Sequence, residues 1–431
     1  MMAGCSGNTP SQEKGTAERK VAAPPPAAAP VAENRDWSGV VQPNALADAA
    51  ERVPAETGYG VKSDAEIMKE RPRAARIAVL GPMSGELESY GQDAVNGAEL
   101  AADEINAAGG IRGQEFDLLV YDTKGSVLGA QKGVEALLAQ DSVAIVGAAT
   151  GEVSFSANKM LNENQLIMVS AGSRRRLGDT GPYNFRNTLN DAAAIRALIE
   201  YLDKTKGYKK YALMSSVVND YSIQLNASFK AELLARGRTV SHELYVWGEA
   251  MTNINPEERG IATQIEQLAA NPPDAVIFTG DGAEAAELVT AMAGHGLNIP
   301  LVGPEDLMSA EFDALKEKAV GTVVYSGFNP GSANPRVAAF VANYKKRFGA
   351  APTRLAALSY DTYGMLAQAI AKSASLRPSH VRAALEAVRL FPGVTGTTSF
   401  GPTREAEKEP YLLEFRKNGS RYGFVGVKEP S

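Results

Sequence analysis

Residues 76–113 read RIAVLGPMSGELESYGQDAVNGAELAADEINAAGGIRG, and the change of period inside them decides the fold. The run Ile77-Ala78-Val79-Leu80 is short, apolar and rich in branched residues, and Gly81-Pro82 stops it, which is the signature of a buried strand. Beyond the turn, Ala94, Ala98, Ala101, Ala102 and Ile105 recur at helical spacing until Gly109-Gly110 ends the pattern. The segment is therefore a strand feeding a helix.

The same grammar repeats downstream. Phe116–Val120 precedes a helical pattern from Ala130 to Leu138, Val143–Val146 precedes Val153 to Leu161, and Leu166–Val169 follows. Alternation of short apolar runs with helices predicts parallel βα units with helices on both faces of a sheet. After Tyr183-Asn184-Phe185-Arg186 the pattern restarts. Helix 191–206 leads to strand Tyr211–Met214, then helix 221–236, strand Thr239–Val246, helix 258–270, strand Ala275–Phe278 and helix 283–295. The fold class is thus α/β, with two Rossmann-like lobes. A strand at Val320–Tyr325, three helices between Pro335 and Leu390 and strands near Thr397 and Leu412 form a surplus too small for a third domain, so they complete the two lobes.

The bulk properties agree. A chain of 431 residues exceeds what one core organises, and 44% hydrophobic with 22% charged residues is an ordinary globular composition. The formal charge of -6 is spread without a basic block, which argues against nucleic acid as a partner. No stretch reaches the ~20 consecutive apolar residues of a spanning helix.

Residues 1–73 are a different material. They are rich in Ala, Pro, Glu and Lys, with Ala23-Pro24-Pro25-Pro26-Ala27-Ala28-Ala29-Pro30 at the centre, and such a composition reads as a disordered, semi-extended tether. The single cysteine, Cys5, excludes an internal disulfide framework. Met2-Ala3-Gly4-Cys5 followed by Ser6-Gly7-Asn8 resembles a bacterial lipobox, so Cys5 is the expected lipidation site and its lipid the expected contact with a membrane. The basic and apolar regions that precede such a cysteine are missing from this sequence, which implies a trimmed leader or a start upstream of Met1. The alternative is an incidental cysteine near a disordered end.

A more specific resemblance is carried by several elements in order. Gly81-Pro82-Met83-Ser84-Gly85, Tyr90-Gly91, Asn96-Gly97-Ala98-Glu99-Leu100-Ala101 and Glu104–Gly113 come first. Phe185-Arg186, Gly303-Pro304-Glu305, Ala357-Leu358-Ser359-Tyr360-Asp361 and Gly393-Val394-Thr395-Gly396 follow. Together they resemble the branched-chain amino-acid binding protein family, the type I periplasmic receptors of ABC importers, over Arg76 to Val427. The resemblance implies two lobes joined by three crossovers and closing by a hinge on a ligand held at strand carboxyl ends. In this numbering the crossovers are expected near 187–191, 323–328 and 391–395. The first lobe would then hold 74–190 plus 324–392, and the second 191–323 plus 393–427.

Amino-acid-binding relatives capture the ligand carboxylate with backbone N–H groups and hydroxyls at helix N-termini. The matching loops hold Thr150 and Gly151, and Gly172, Ser173 and Arg174. Both depart from the family pattern, with Glu152 in one and Arg174-Arg175-Arg176 in the other. Glu152 points outward, pairs with Arg174 or marks a different ligand. Arg174 either offers a charge-assisted bond to an anionic ligand group or belongs to a solvated loop. Tyr90 and Tyr221 match cleft aromatics, Tyr90 with packing over the first helix as its alternative. Asp191 and Glu305 match the carboxylates that hold a ligand ammonium, Asp191 with helix capping as its alternative. Asp281 stands where relatives often carry an aromatic, so side-chain specificity does not carry over.

The resemblance implies a solute-binding lipoprotein of the periplasm or cell surface that delivers an amino acid or a related small polar ligand to the transmembrane subunits of an ABC permease. The alternative is a ligand sensor, or an activator of cell-wall synthases, built on the same lobes. Catalysis is not expected. There is no Gly-x-Gly-x-x-Gly after the first strand, no phosphate loop ending in Gly-Lys-Ser/Thr and no His-Glu-x-x-His, so neither cofactor nor metal is implied. His242, His295 and His380 lie far apart and read as surface residues.

Overall fold

The computed structural model describes residues 76–430 except 149–150, 175, 218–219 and 247–260, together with Ser63, Glu66 and Lys69. Cys5, the tether, Thr150 and Arg175 lie outside the described residues, as does the side chain of Glu152.

Two sheets organise what is described. The first is built from β1 (Arg76–Gly81), β2 (Asp117–Asp122), β3 (Ala144–Gly147), β4 (Ile167–Ser170) and β5 (Asn184–Arg186). All are parallel, in the order β2-β1-β3-β4-β5. Helices α1 (Glu88–Ala107), α2 (Val127–Ala139) and α3 (Gly151–Glu163) connect them. Successive side chains of a strand point to opposite faces, and β1 shows it. Ile77 and Val79 enter one apolar core, whereas Ala78 and Leu80 enter the other with Val134 of α2 and Leu161 of α3.

The second lobe repeats the order. After α4 (Asp191–Thr205) come β6 (Lys210–Ser216), α5 (Asp220–Ala235), β7 (Thr239–Val246), α6 (Ile261–Ala270) and β8 (Ala275–Phe278). Then come α7 (Gly282–Gly294), β9 (Leu301–Pro304), α8 (Ala310–Asp313) and β10 (Val323–Ser326). The parallel run β7-β6-β8-β9-β10 has the same winding as the first sheet, so each lobe has its topological switch beside its first strand. The second sheet is not wholly parallel. β13 (Tyr411–Asn418) pairs antiparallel with β10, and β14 (Arg421–Lys428), absent from the sequence reading, pairs antiparallel with β13. The cause is a two-residue hairpin after Asn418, with Gly419 at φ 61°.

Between those parts the chain returns to the first lobe with α9 (Pro335–Phe348), α10 (Arg354–Lys372) and α11 (Pro378–Glu386). Helix α10 is buried on nearly every side and lies against α1. Their closeness depends on Gly97, where a Cβ would stand 2.0 Å from the carbonyl oxygen of Ala356. The strands β11 (Phe391–Gly393) and β12 (Gly396–Thr398) form a small hairpin.

The second connection falls within the expected 323–328, but the lobe boundary drawn there at 323/324 and the third connection lie elsewhere than expected. The boundary expected at 323/324 falls inside β10, which pairs with β9 and β13 of the second sheet, so the chain leaves that lobe after Ser326. The third connection, expected at 391–395, lies later. The buried Asp361 of α10 accepts hydrogen bonds from the Val394 and Thr395 amides at 2.8 Å each and from the Thr395 hydroxyl at 2.6 Å, fastening this turn to the first lobe. Val394, Phe400 and Ala406 accordingly belong to the first lobe's core, and the chain enters the second sheet only at Tyr411.

Candidate functional site

Loops at the strand carboxyl ends of both lobes converge on one charged cluster. From the first lobe come Arg174, four residues past β4, and Arg354, the first residue of α10. From the second come Asp191 at the start of α4, Tyr221 in the first turn of α5, Glu305 and Asp306 directly after β9, and Tyr325 near the end of β10.

Arg174 is the centre. Its Nη2 lies 2.8 Å from Asp306 Oδ1 and 3.4 Å from Glu305 Oε1, its Nη1 donates to the Tyr221 hydroxyl at 3.2 Å, and its guanidinium carbon stands 5.3 Å from the centre of the Tyr221 ring. Tyr221 in turn donates to Asp191 Oδ2 at 2.9 Å, and Tyr325 donates to Asp191 Oδ1 at 3.0 Å. Capping of α4 belongs to Asn190, whose side chain accepts from the Ala193 amide, so Asp191 is left to face the tyrosines.

Glu305 is the second focus and is only 8% exposed. It accepts from the Ser326 hydroxyl at 2.9 Å and the Gly327 amide at 2.8 Å, and Arg354 Nε lies 3.0 Å away across the lobes. Burial raises its pKa, but Arg354 and Arg174, aided by the two hydrogen bonds, outweigh burial and hold the carboxyl below the usual glutamate range. Asp191 goes the other way. Burial raises it, and Arg174 and the two tyrosine hydroxyls only partly offset the rise. Tyr90 is also raised by burial, with Arg354 and Arg174 opposing, and its hydroxyl lies 3.4 Å from the Gly172 carbonyl.

Arg174, Asp191, Tyr221 and Glu305, all singled out from sequence, thus meet in one place, with Tyr90 and Gly172 beside them. Others do not join. Ser173 is fully buried, its amide donates to Ser170 Oγ at 3.0 Å, and its carbonyl accepts from Thr188. The Gly172 amide bonds the Gly147 carbonyl at 3.3 Å. These two amides are taken up within the first lobe, by the end of β4 and the end of β3. Gly151 opens α3. Asp281 caps α7 in a reciprocal capping box with Glu284. Arg354, Asp306, Tyr325 and Ser326 were missed. Only Asp306, an acid next to Glu305, and the Tyr325-Ser326-Gly327 strand end carried a signal in the sequence.

Chemically the cluster is a box for a cation. An aromatic face, two carboxylates in contact and a third one hydroxyl away surround the guanidinium. Among the described residues there is no group of His, Cys, Asp and Glu side chains arranged to hold a metal ion, and no helix is long and apolar enough to cross a membrane. His242 and His380 hydrogen-bond neighbouring serines and His295 caps a helix end, away from the cluster.

Comparison with known proteins agrees with the fold. The profile of the periplasmic binding protein family matches residues 74–420. The Leu/Ile/Val-binding protein BraC3 of Rhizobium johnstonii is 26% identical over 344 residues, 78% of this chain and 90% of that protein. A solved structure from Rhodospirillum rubrum superposes with a TM-score of 0.72 at 24% identity, covering 81% of this chain and 99% of that one. The substrate-binding protein LivJ of Streptococcus pneumoniae, in complex with isoleucine, gives 0.65 at 24% identity over the same shares. The chain belongs to the periplasmic binding protein family.

Proposed function

We propose that the chain is the extracytoplasmic receptor of an ABC importer, closing its two lobes on an amino acid or a related small polar solute and passing it to the permease. Cys5 carries the lipid in this reading, and the sequence before residue 74 is the tether. The observation that supports it most directly is the meeting of first-lobe cations with second-lobe carboxylates and tyrosines. A zwitterion has the complementary charges for both halves, its ammonium suiting Asp191, Glu305 and Asp306 and its carboxylate suiting Arg354. The other two readings have less behind them.

Micromolar capture needs roughly 8 kcal/mol net, more than one ion pair gives, so both lobes must contribute. Thermal-shift screening of purified protein against the amino acids and small polar carboxylates tests the proposal, with isothermal calorimetry on any hit. A rise in melting temperature with one class of solute is expected. A chain that answers to none of them and instead retains a cell-wall synthase in a pull-down would be an activator, and turnover of a bound solute would make it an enzyme.

A further inference from the structure

Arg174 does in this molecule what a ligand does in a receptor. It enters the box from the opposite lobe and presents a cation to Glu305 and Asp306. It lies over the Tyr221 ring and touches that residue's hydroxyl, which is itself bonded to Asp191. Its side chain is 20% exposed, so the contacts are shielded from water on most sides. The groups that surround the guanidinium are carboxylates and phenols, and an anion in the same place would be repelled. The backbone beneath is held separately, by Arg186 Nη1 on the Arg174 carbonyl at 3.4 Å and by Thr188 on the Ser173 carbonyl at 2.8 Å. Arg354, by contrast, pairs with Glu305 through its Nε at 3.0 Å.

We infer that Arg174 is a tethered occupant of the second lobe's cation box, so that solute capture is an exchange in which an ammonium or guanidinium group of the solute replaces the guanidinium between Tyr221, Glu305 and Asp306. The inference rests on the receptor reading above and adds a class of solute and a price in affinity. A box already filled by its own chain is available only for the fraction of time the arginine is out, and apparent affinity falls by that fraction. Because the same contacts join the lobes, the arginine also holds the cleft shut.

Chemical rescue tests this on the full chain without knowledge of the natural solute. Arg174→Ala is compared with the wild type by small-angle scattering and thermal shift, with methylguanidinium as the probe and N-methylurea as its neutral match. The wild type should be compact with no additive and indifferent to the probe. Arg174→Ala should have a larger radius of gyration, return to the wild-type value with millimolar methylguanidinium, gain melting temperature in the process and ignore N-methylurea. Should the alanine variant fold poorly, Arg174→Gln takes its place with the same expectations, and Arg174→Lys, which keeps a cation, should remain compact unaided. An Arg174→Ala or Arg174→Gln variant that stays compact without the probe, or that does not answer to it, overturns the exchange. A chain that passes and yet takes no amino acid keeps the exchange and loses only the amino-acid reading.

Discussion

Replacing Glu305 by Gln should open the molecule while leaving each lobe intact. The amide oxygen of Gln can still accept from Ser326 and the Gly327 amide, the bonds made at 2.9 and 2.8 Å by one carboxylate oxygen. The other oxygen meets Arg354 Nε at 3.0 Å and Arg174 Nη2 at 3.4 Å, and an NH2 in its place sets donors against donors. Each charge-assisted bond is worth about 1.5–3 kcal/mol when buried. The second of these is long, and both guanidiniums keep a fifth to a quarter of their surface in water. We therefore expect a combined loss of about 2–3 kcal/mol in lobe closure, or roughly 30- to 150-fold in its equilibrium. The four core clusters lie within the lobes and do not include these residues, so the melting temperature should move little. Because Arg354 and Arg174 hold the Glu305 pKa down, the contribution is complete above the ordinary glutamate value and disappears only as pH falls through the lowered one. The variant at neutral pH should thus lack the one contribution of Glu305 that the wild type loses only in acid. Small-angle scattering reads the closure and calorimetry the solute affinity, and a variant as compact and as tight-binding as the wild type at pH 7 would refute the reasoning.

Three further changes probe separate parts of the argument. Tyr221→Phe keeps the ring under Arg174 but removes the hydroxyl between Arg174 and Asp191, and should weaken solute binding by about 1–2 kcal/mol in calorimetry. Lys408, buried beside Asp361 and Thr395, is pushed down by burial from 10.5 to about 8, against the pull of Asp361. Between those values the unfolded chain binds more protons than the folded one, so stability should rise with pH from 8 to 10.5 by about 3 kcal/mol, and Lys408→Met should flatten that rise in urea titrations. Gly97→Ala puts a methyl group 2.0 Å from the Ala356 carbonyl oxygen and should destabilise the first lobe by roughly 1–3 kcal/mol or more, measured by urea unfolding.

Local patterns carried most of the architecture because burial imposes them locally. Ile77 and Val79 against Ala78 and Leu80 is a strand with two covered faces, and the repeat of that motif past Asp191 reads as a second lobe. What the chain does at a distance was harder to see. The turn at Gly393–Gly396 resembles a crossing, and only the packing of α10 brings Asp361 to its amides and keeps it in the first lobe. Arg354 lies 49 residues from Glu305 and looks like any first residue of a helix after a Thr cap. Asp281 is the opposite case. Asp281-Gly282-Ala283-Glu284 spells a capping box in plain sequence, and the structure uses it as one.

In the receptor reading, the inter-lobe motion has a boundary that one buried ion pair defines. Arg186 Nε pairs with Glu405, the two side chains being 3% and 5% exposed. Glu405 also accepts from the Leu177 and Gly178 amides at 2.9 and 2.8 Å, while Arg186 Nη1 reaches Thr188, the Leu189 carbonyl and the Arg174 carbonyl. The loop that bears Arg174, the start of the first connection and the start of the third are thereby one body. Breaking such a buried pair costs on the order of 3–5 kcal/mol, more than exchanging the Arg174 guanidinium for a solute cation would return. In the receptor reading, hinge rotation then falls at Leu189 in the first connection, whose carbonyl accepts from Arg186 while its side chain packs in the second lobe's core, beyond Ser326 in the second and between Ala406 and Tyr411 in the third. Within that frame the Arg174 backbone stays with the first lobe throughout. When a solute cation enters the box only the side chain is free to leave, so the exchange is a change of rotamer rather than a rearrangement of the loop.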